Sequence, residues 1–136
     1  VARDARGHLA AATSTGGLTG KLPGRVSDSA LIGAGTFADD ATCAVSATGT
    51  GDAFIRAGFA HAVDSGMRHA GLSLDAACRS ALDGVRALGG SGGCIALDAA
   101  GRAALPFDTD WMARGVIGPD GRARIALTAG EDVLTR

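Results

Sequence analysis

Residues 46–57 read SATGTGDAFIRA, and within this stretch the hydrophobic period changes. Upstream, ATCAVSA at 41–47 is a short apolar run of the kind a buried strand makes. Downstream, Phe54, Ile55, Phe59, Ala62 and Val63 recur at helical spacing from Asp52 to Gly66. Asp52 stands where it can cap that helix and Gly66 where it can end it. The stretch therefore reads as strand, small polar turn, helix. A second helix follows from Ser73 to Leu88, with Ser73 as its N-cap, Ala77, Ala81, Val85 and Leu88 on one face, and Gly89 as its stop.

Outward from this centre the chain reads as hairpins. VARDARGHLAAATS at 1–14 is strand, turn, strand, with DARG as the reversal. The same turn grammar recurs in CIALDAAGRAALPF at 94–107 and VIGPDGRARIAL at 116–127, so antiparallel sheet is expected. Residues 16–40 hold six glycines and one of the three prolines with no steady period. A loop of that length inside a compact domain is usually functional. No Pro/Ser-rich linker divides the chain, so a single α/β domain over 1–136 is predicted.

Composition narrows the function classes. Apolar residues make up 46% and charged ones 20% of the 136, a globular balance, and the net charge of −1 argues for neither nucleic acid nor an acidic membrane as partner. No apolar run has the length of a membrane span, and no basic-then-apolar leader is present. Cys43, Cys78 and Cys94 are odd in number and widely spaced, and His8, His61 and His69 are scattered. Buried thiols in a reducing compartment are expected, and a structural metal is not. The 22 glycines are about twice the ordinary usage of ~7%. With 4% aromatics and no Tyr, the core is expected to be filled by Ala, Val, Leu and Ile. Such a core is thin for its length, which predicts a partner chain covering part of it. The chain opens on Val1 within an alternating segment, as if residues had been removed upstream.

Three segments can carry chemistry. At Thr48–Gly51 free N–H groups at a helix start favour negative charge, which admits a phosphate cradle, an oxyanion hole or a plain turn. Gly49-Thr50-Gly51 begins a dinucleotide fingerprint, but Phe54 stands where its third glycine belongs, and GAGTFA at 33–38 mimics the same pattern. KLPGRVSDS at 21–29 sets Arg25 near Asp28, either as a surface ion pair or as partners for the carboxylate and ammonium of an amino acid. TSTGG at 13–17 spends Thr13, Ser14 and Thr15 beside a glycine pair, where the backbone approaches something polar. LGGSGGCIALD at 88–98 reads as a helix end and strand start, with Asp98 opening a turn.

Together HLAAATSTGGLTGKLPGRVSDSALIGAG, AVSATGTGDAFIRA, ALGGSGG and ALPFDT resemble, in order from Val1 to about Thr109, the β-subunit of the plant-type asparaginases. These isoaspartyl peptidases are N-terminal nucleophile hydrolases related to glycosylasparaginase. The resemblance implies a precursor that cuts itself before a threonine, whose hydroxyl then attacks the side-chain amide of asparagine or a β-aspartyl bond, with its own amine as base. It implies that Thr15 orients this nucleophile. Thr48 and the Gly49 N–H would form the oxyanion hole. Arg25, Val26, Ser27 and Asp28, with Thr48, Gly49, Thr50 and Gly51, would bind substrate, Arg25 at its α-carboxylate and Asp28 at its α-amine.

In that register VARDARGHL begins a few residues after the nucleophile, so neither the threonine nor the α-subunit lies within 1–136. Ser27 stands where the family usually has glycine, and Asp52 where asparaginases often have glutamate. The implied fold is a four-layer αββα sandwich, of which this chain supplies part. The implied partners are the α-subunit of the same precursor, in an (αβ)2 assembly, and an amino-acid or dipeptide substrate, without metal or cofactor, in the cytoplasm. A non-catalytic amino-acid-binding or interaction module that keeps the pocket is the alternative, and glycosylasparaginase a second.

Overall fold

A computed structural model describes residues 1–131, 133 and 134. The expected domain runs over 1–136, and its residues 132, 135 and 136 lie outside the described ones. The elements are β1 (Ala2–Arg3), β2 (Leu9–Ala10), β3 (Thr36–Ala38), β4 (Cys43–Gly49), α1 (Gly51–Ala57), α2 (Phe59–Ala70), α3 (Leu74–Ala87), β5 (Gly92–Asp98), β6 (Ala103–Ala104), β7 (Arg114–Ile117) and β8 (Ala123–Ala126). β3, β4, β5 and β6 form one antiparallel sheet in that order, while β1 with β2 and β7 with β8 make separate hairpins.

The long pair β4–β5 is the spine, in register from Cys43 opposite Asp98 to Gly49 opposite Gly92. Successive side chains of a strand point to opposite faces. Cys43, Val45 and Ala47 of β4, with Cys94 and Ala96 of β5, meet the helices on one face. Ser46 and Thr48, with Ile95 opposite Ser46, lie on the other, where Ile95 packs on a smaller cluster of Leu105, Ala126 and Val133. All three helices fall between β4 and β5 in the chain, and their buried residues join the first core. None is long and apolar enough to cross a membrane among the described residues.

The expected helix over Asp52–Gly66 is two helices. Gly58 takes a left-handed conformation (φ 56°, ψ 44°) and breaks the run, an arrangement that costs a glycine little. Helical geometry already begins at Gly51, so Asp52 lies inside the first turn rather than capping it, where its charge still suits the helix dipole. α2 continues through Gly66, which keeps helical backbone and packs against α3, a Cβ there standing 3.4 Å from the Ala77 Cβ. The stop is Gly71 (φ 65°), whose N–H donates to the Gly66 carbonyl. α3 matches its expectation, with Ser73 Oγ accepting from the Ala76 N–H.

The core differs from the expected aliphatic filling. Its two largest fully buried side chains are Phe54 and Phe59, with ring centroids 4.7 Å apart. The three cysteines are buried and unpaired, and burial pushes the Cys43 thiol up to about 12. The expected loop at 16–40 also contains a 3-10 turn, Asp28–Ala30, and the short strand β3.

The first hairpin turns where DARG was read: Asp4 Oδ1 accepts from the N–H groups of Arg6 and His8. Its strands are shorter than 1–14, since regular pairing ends at Ala10. Asp40 fastens it to the β3–β4 turn, accepting from the Leu9 N–H at 2.6 Å and lying 2.7 Å from His8 Nδ1. That contact raises His8 above its usual 6.5 and lowers Asp40 below 3.8. Protonated His8 therefore stabilises the tether fully below pH 6.5, and this is lost as pH rises through its raised value. Asp40 contributes above 3.8 and loses its part as pH falls through its depressed value. Thermal melts of the wild type and His8→Ala should differ at a pH between these limits and converge at a pH well above both. An equal difference under both conditions would contradict the tether.

Candidate active site

The turn between β4 and α1 is fixed by glycine contacts. At Gly49 (φ 150°) a Cβ would lie 2.3 Å from the Ser91 carbonyl oxygen and 2.7 Å from Gly92 Cα. Thr50 locks the same place: its N–H donates to Ser91 O at 2.9 Å, and its hydroxyl accepts from the Ser91 N–H at 3.2 Å. The glycines at 89–93 thus serve to bring β5 against this turn.

The 3-10 turn docks on the start of α1. A Cβ on Gly51 would fall 1.8 Å from Ser27 Oγ and 2.7 Å from Asp28 Oδ1, so both groups occupy the notch that glycine leaves. Ser27 Oγ donates to Asp28 Oδ1 at 3.0 Å. The Asp28 carbonyl accepts from the Gly35 N–H at 3.0 Å, and a Cβ on Gly35 would stand 2.5 Å from that oxygen. Asp28 is 4% exposed, and its Oδ2 is buried with no hydrogen-bond partner. A buried carboxylate oxygen left unmatched is costly, which points to a donor that arrives from outside.

Arg25 is half-buried and forms no ion pair with Asp28 or with any other described carboxylate, so the surface-pair reading fails. Instead Arg25, Ser27 and Asp28 line a cavity of about 160 Å³ with Thr15, Thr48 and Gly49. Thr15 Oγ1 accepts from the Gly17 N–H at 2.9 Å, which curls the loop at the cavity's edge. A second cavity of about 290 Å³ shares Thr15, Ser29 and Thr48 with the first and extends past Ser46 to Met112.

Six of the sequence-derived site residues therefore line one cavity. Gly51 lies beneath it, against Ser27 and Asp28. Val26 is exposed and outside the lining, and Thr50 turns its hydroxyl to Ser91. Sequence reading did not single out Ser29 and Ser46. The period of two along β4 could have found Ser46, which shares a face with Thr48. Chemically, an unpaired guanidinium and a half-satisfied carboxylate match the two charges of an amino-acid end, and two hydroxyls, Thr15 and Thr48, stand beside them. Among the described residues no group of three or more His, Cys, Asp or Glu is gathered to hold a metal ion.

Comparison with known proteins points to one family. A family model described as Asparaginase matches residues 1–127. An isoaspartyl peptidase of Escherichia coli K12 is 52% identical over 139 residues, covering 100% of this chain and 43% of that protein. A probable isoaspartyl peptidase/L-asparaginase 2 of Arabidopsis thaliana is 43% identical, covering 93% of the chain and 38% of that protein. A plant-type L-asparaginase of Pyrobaculum calidifontis is also 43% identical, covering 93% of the chain and 42% of that protein. The chain thus spans about two-fifths of the length of these curated relatives.

The notch beneath the carboxylate is testable by stability. Gly51→Ala must displace Ser27 and Asp28, an overpacking expected to cost about 1–3 kcal/mol. Gly84→Ala is the contrast, since nothing lies within 4 Å of a Cβ on that α3 position. It should gain roughly 0.5–1 kcal/mol. Denaturant titration of both variants measures the difference, and a Gly51→Ala protein as stable as wild type would refute the packed notch.

Proposed function

The chain belongs to the asparaginase family, whose fold is of the N-terminal nucleophile hydrolase type, and we propose that it forms the β-subunit part of an amidohydrolase. The proposed reaction is hydrolysis of the side-chain amide of L-asparagine or of the β-linked bond of isoaspartyl peptides. The observation that carries this reading is the partnerless Oδ2 of buried Asp28 in a cavity shared with unpaired Arg25. Both substrates present the same α-ammonium and α-carboxylate. Asp28 takes the ammonium and Arg25 forks onto the carboxylate. The scissile carbonyl then projects toward Thr48 and Gly49, whose hydroxyl and N–H receive the charge that develops on its oxygen.

The attacking hydroxyl comes, in this reading, from a threonine upstream of Val1. In the first hairpin Ala2 stands opposite Ala10 and Arg3 opposite Leu9. Each step back along β1 advances one step along 11–15, so in a protein where β1 continues upstream the fourth residue before Val1 falls opposite Thr15. Once freed by cleavage, that threonine attacks with its own amine as base. It releases ammonia or an amino acid, and water then cleaves the acyl ester.

The four-layer sandwich belongs to the same proposal. The sheet face carrying Ser46 and Thr48 is turned away from the helices, which suits a second sheet. Trp111, Ile117, Ile125 and Leu127 are exposed apolar residues suited to an α-subunit and an (αβ)2 assembly. Three unpaired buried thiols suit a cytoplasmic setting.

The test is steady-state hydrolysis of L-asparagine and a β-aspartyl dipeptide by the protein that carries this chain. Arg25→Lys keeps the charge but loses the fork, and should weaken transition-state binding by about 1.5–3 kcal/mol, chiefly through KM. Thr48→Ala should lower kcat by roughly 10²–10³ with little change in KM, and Thr48→Ser should recover much of it. Unaltered kcat and KM in Arg25→Lys and Thr48→Ala would overturn these roles.

A further inference from the structure

Thr13 carries a contact that the proposed reaction does not use. No backbone–backbone hydrogen bond ties residues 11–16 to the rest of the described chain. What holds this segment on β4 is the half-buried Thr13 hydroxyl, 2.7 Å from Ser46 Oγ and 3.2 Å from the Gly35 carbonyl oxygen. One hydroxyl has one proton. With Thr13 donating to Gly35, Ser46 donates to Thr13, and both hydroxyls are satisfied. Gly35 O also accepts from the Ala47 N–H at 2.8 Å, so the anchor is itself bolted to β4.

The spacing gives this contact a consequence. Thr13 and Thr15 are two residues apart, as are Ser46 and Thr48, and side chains of extended backbone alternate. Joining 13 to 46 brings 15 toward 48, and Thr15 and Thr48 line both cavities together. A slip of one residue would present Ser14 in place of Thr15. We propose that the Thr13–Ser46 hydroxyl pair is a register pin that sets Thr15 against Thr48, Thr13 being a positioning residue. This rests on the reading that Thr15 and Thr48 serve the hydrolysis.

The pin acts on the reacting groups and not on the Arg25–Asp28 end, so its loss should fall on kcat. Thr13→Val, which keeps the branched shape, should lower kcat for a β-aspartyl dipeptide about tenfold, as expected for a small misplacement of a reacting group. KM should hold within about twofold, because its binding partners are untouched. Thr13→Ser should restore kcat, Ser46→Ala should reproduce the loss, and the double variant should be no worse than either single one. Limited tryptic cleavage after Lys21, read by mass spectrometry on the same proteins, should quicken in Thr13→Val, Ser46→Ala and the double variant, and not in Thr13→Ser.

If wild type hydrolyses the dipeptide and both variants retain its kcat, the pin is wrong and the site reading stands. If wild type hydrolyses neither substrate, the site reading fails. Faster cleavage in the variants then still supports the pin as an anchor of the loop, and unchanged cleavage overturns it. A loss in which kcat and KM worsen together without rescue by Thr13→Ser also overturns it.

Discussion

The backbone of Gly35 is the constraint on which the site depends. Its N–H donates to the Asp28 carbonyl, and its carbonyl accepts from Ala47 of β4 and from the Thr13 hydroxyl. Three segments distant in sequence therefore meet on one residue. They carry Asp28, Thr48 and Thr15 respectively. The approach is possible only without a side chain, because a Cβ would lie 2.5 Å from the Asp28 oxygen. Gly51 does the same on the other side of the 3-10 turn, accepting Ser27 and Asp28 into the space its side chain would fill. The glycine content that marks this chain is in these positions the means by which backbone reaches backbone.

β4 divides stability from chemistry. Its odd-numbered residues Cys43, Val45 and Ala47 belong to the core that α1, α2 and α3 cover. Ser46 and Thr48 face away, toward the two cavities. One strand thus supports the helical layer with one set of side chains and offers hydroxyls with the other. The burial of Phe54 and Phe59 against the strand's helical face fixes the turn at Thr48–Gly51 from behind, since the Phe54 ring lies 2.7 Å from where a Cβ on Gly49 would stand.

Much of this was legible in the sequence. The change of period at SATGTGDAFIRA located β4 and the helix that follows, and Ser73 marked the start of α3 because its cap is a local interaction. Gly58 and Gly66 were not distinguishable locally. Both are glycines within one apolar run, and what separates them is the left-handed turn at Gly58, while Gly66 stays helical against α3. β3 was missed because three residues between Gly35 and the Asp39–Asp40 pair are too few to show a period. For the site, the TSTGG, PGRVSDS and TGTG stretches carried the resemblance, and eight of their residues line one cavity. The partner of Thr13, the engagement of Thr50 with Ser91 and the buried open oxygen of Asp28 depend on contacts across 20 or more residues. Periodicity and motif spacing do not encode such contacts.

The central claim is that Arg25 and Asp28 read the two charges of an amino-acid end. Calorimetric titration with L-aspartate, succinate and β-alanine tests it most directly, since succinate lacks the α-ammonium and β-alanine the α-carboxylate. The account predicts that L-aspartate binds and that each truncated ligand binds at least about tenfold more weakly, each having lost a charge-assisted contact. Binding of all three with equal affinity, or binding of succinate as tight as that of aspartate, would contradict it.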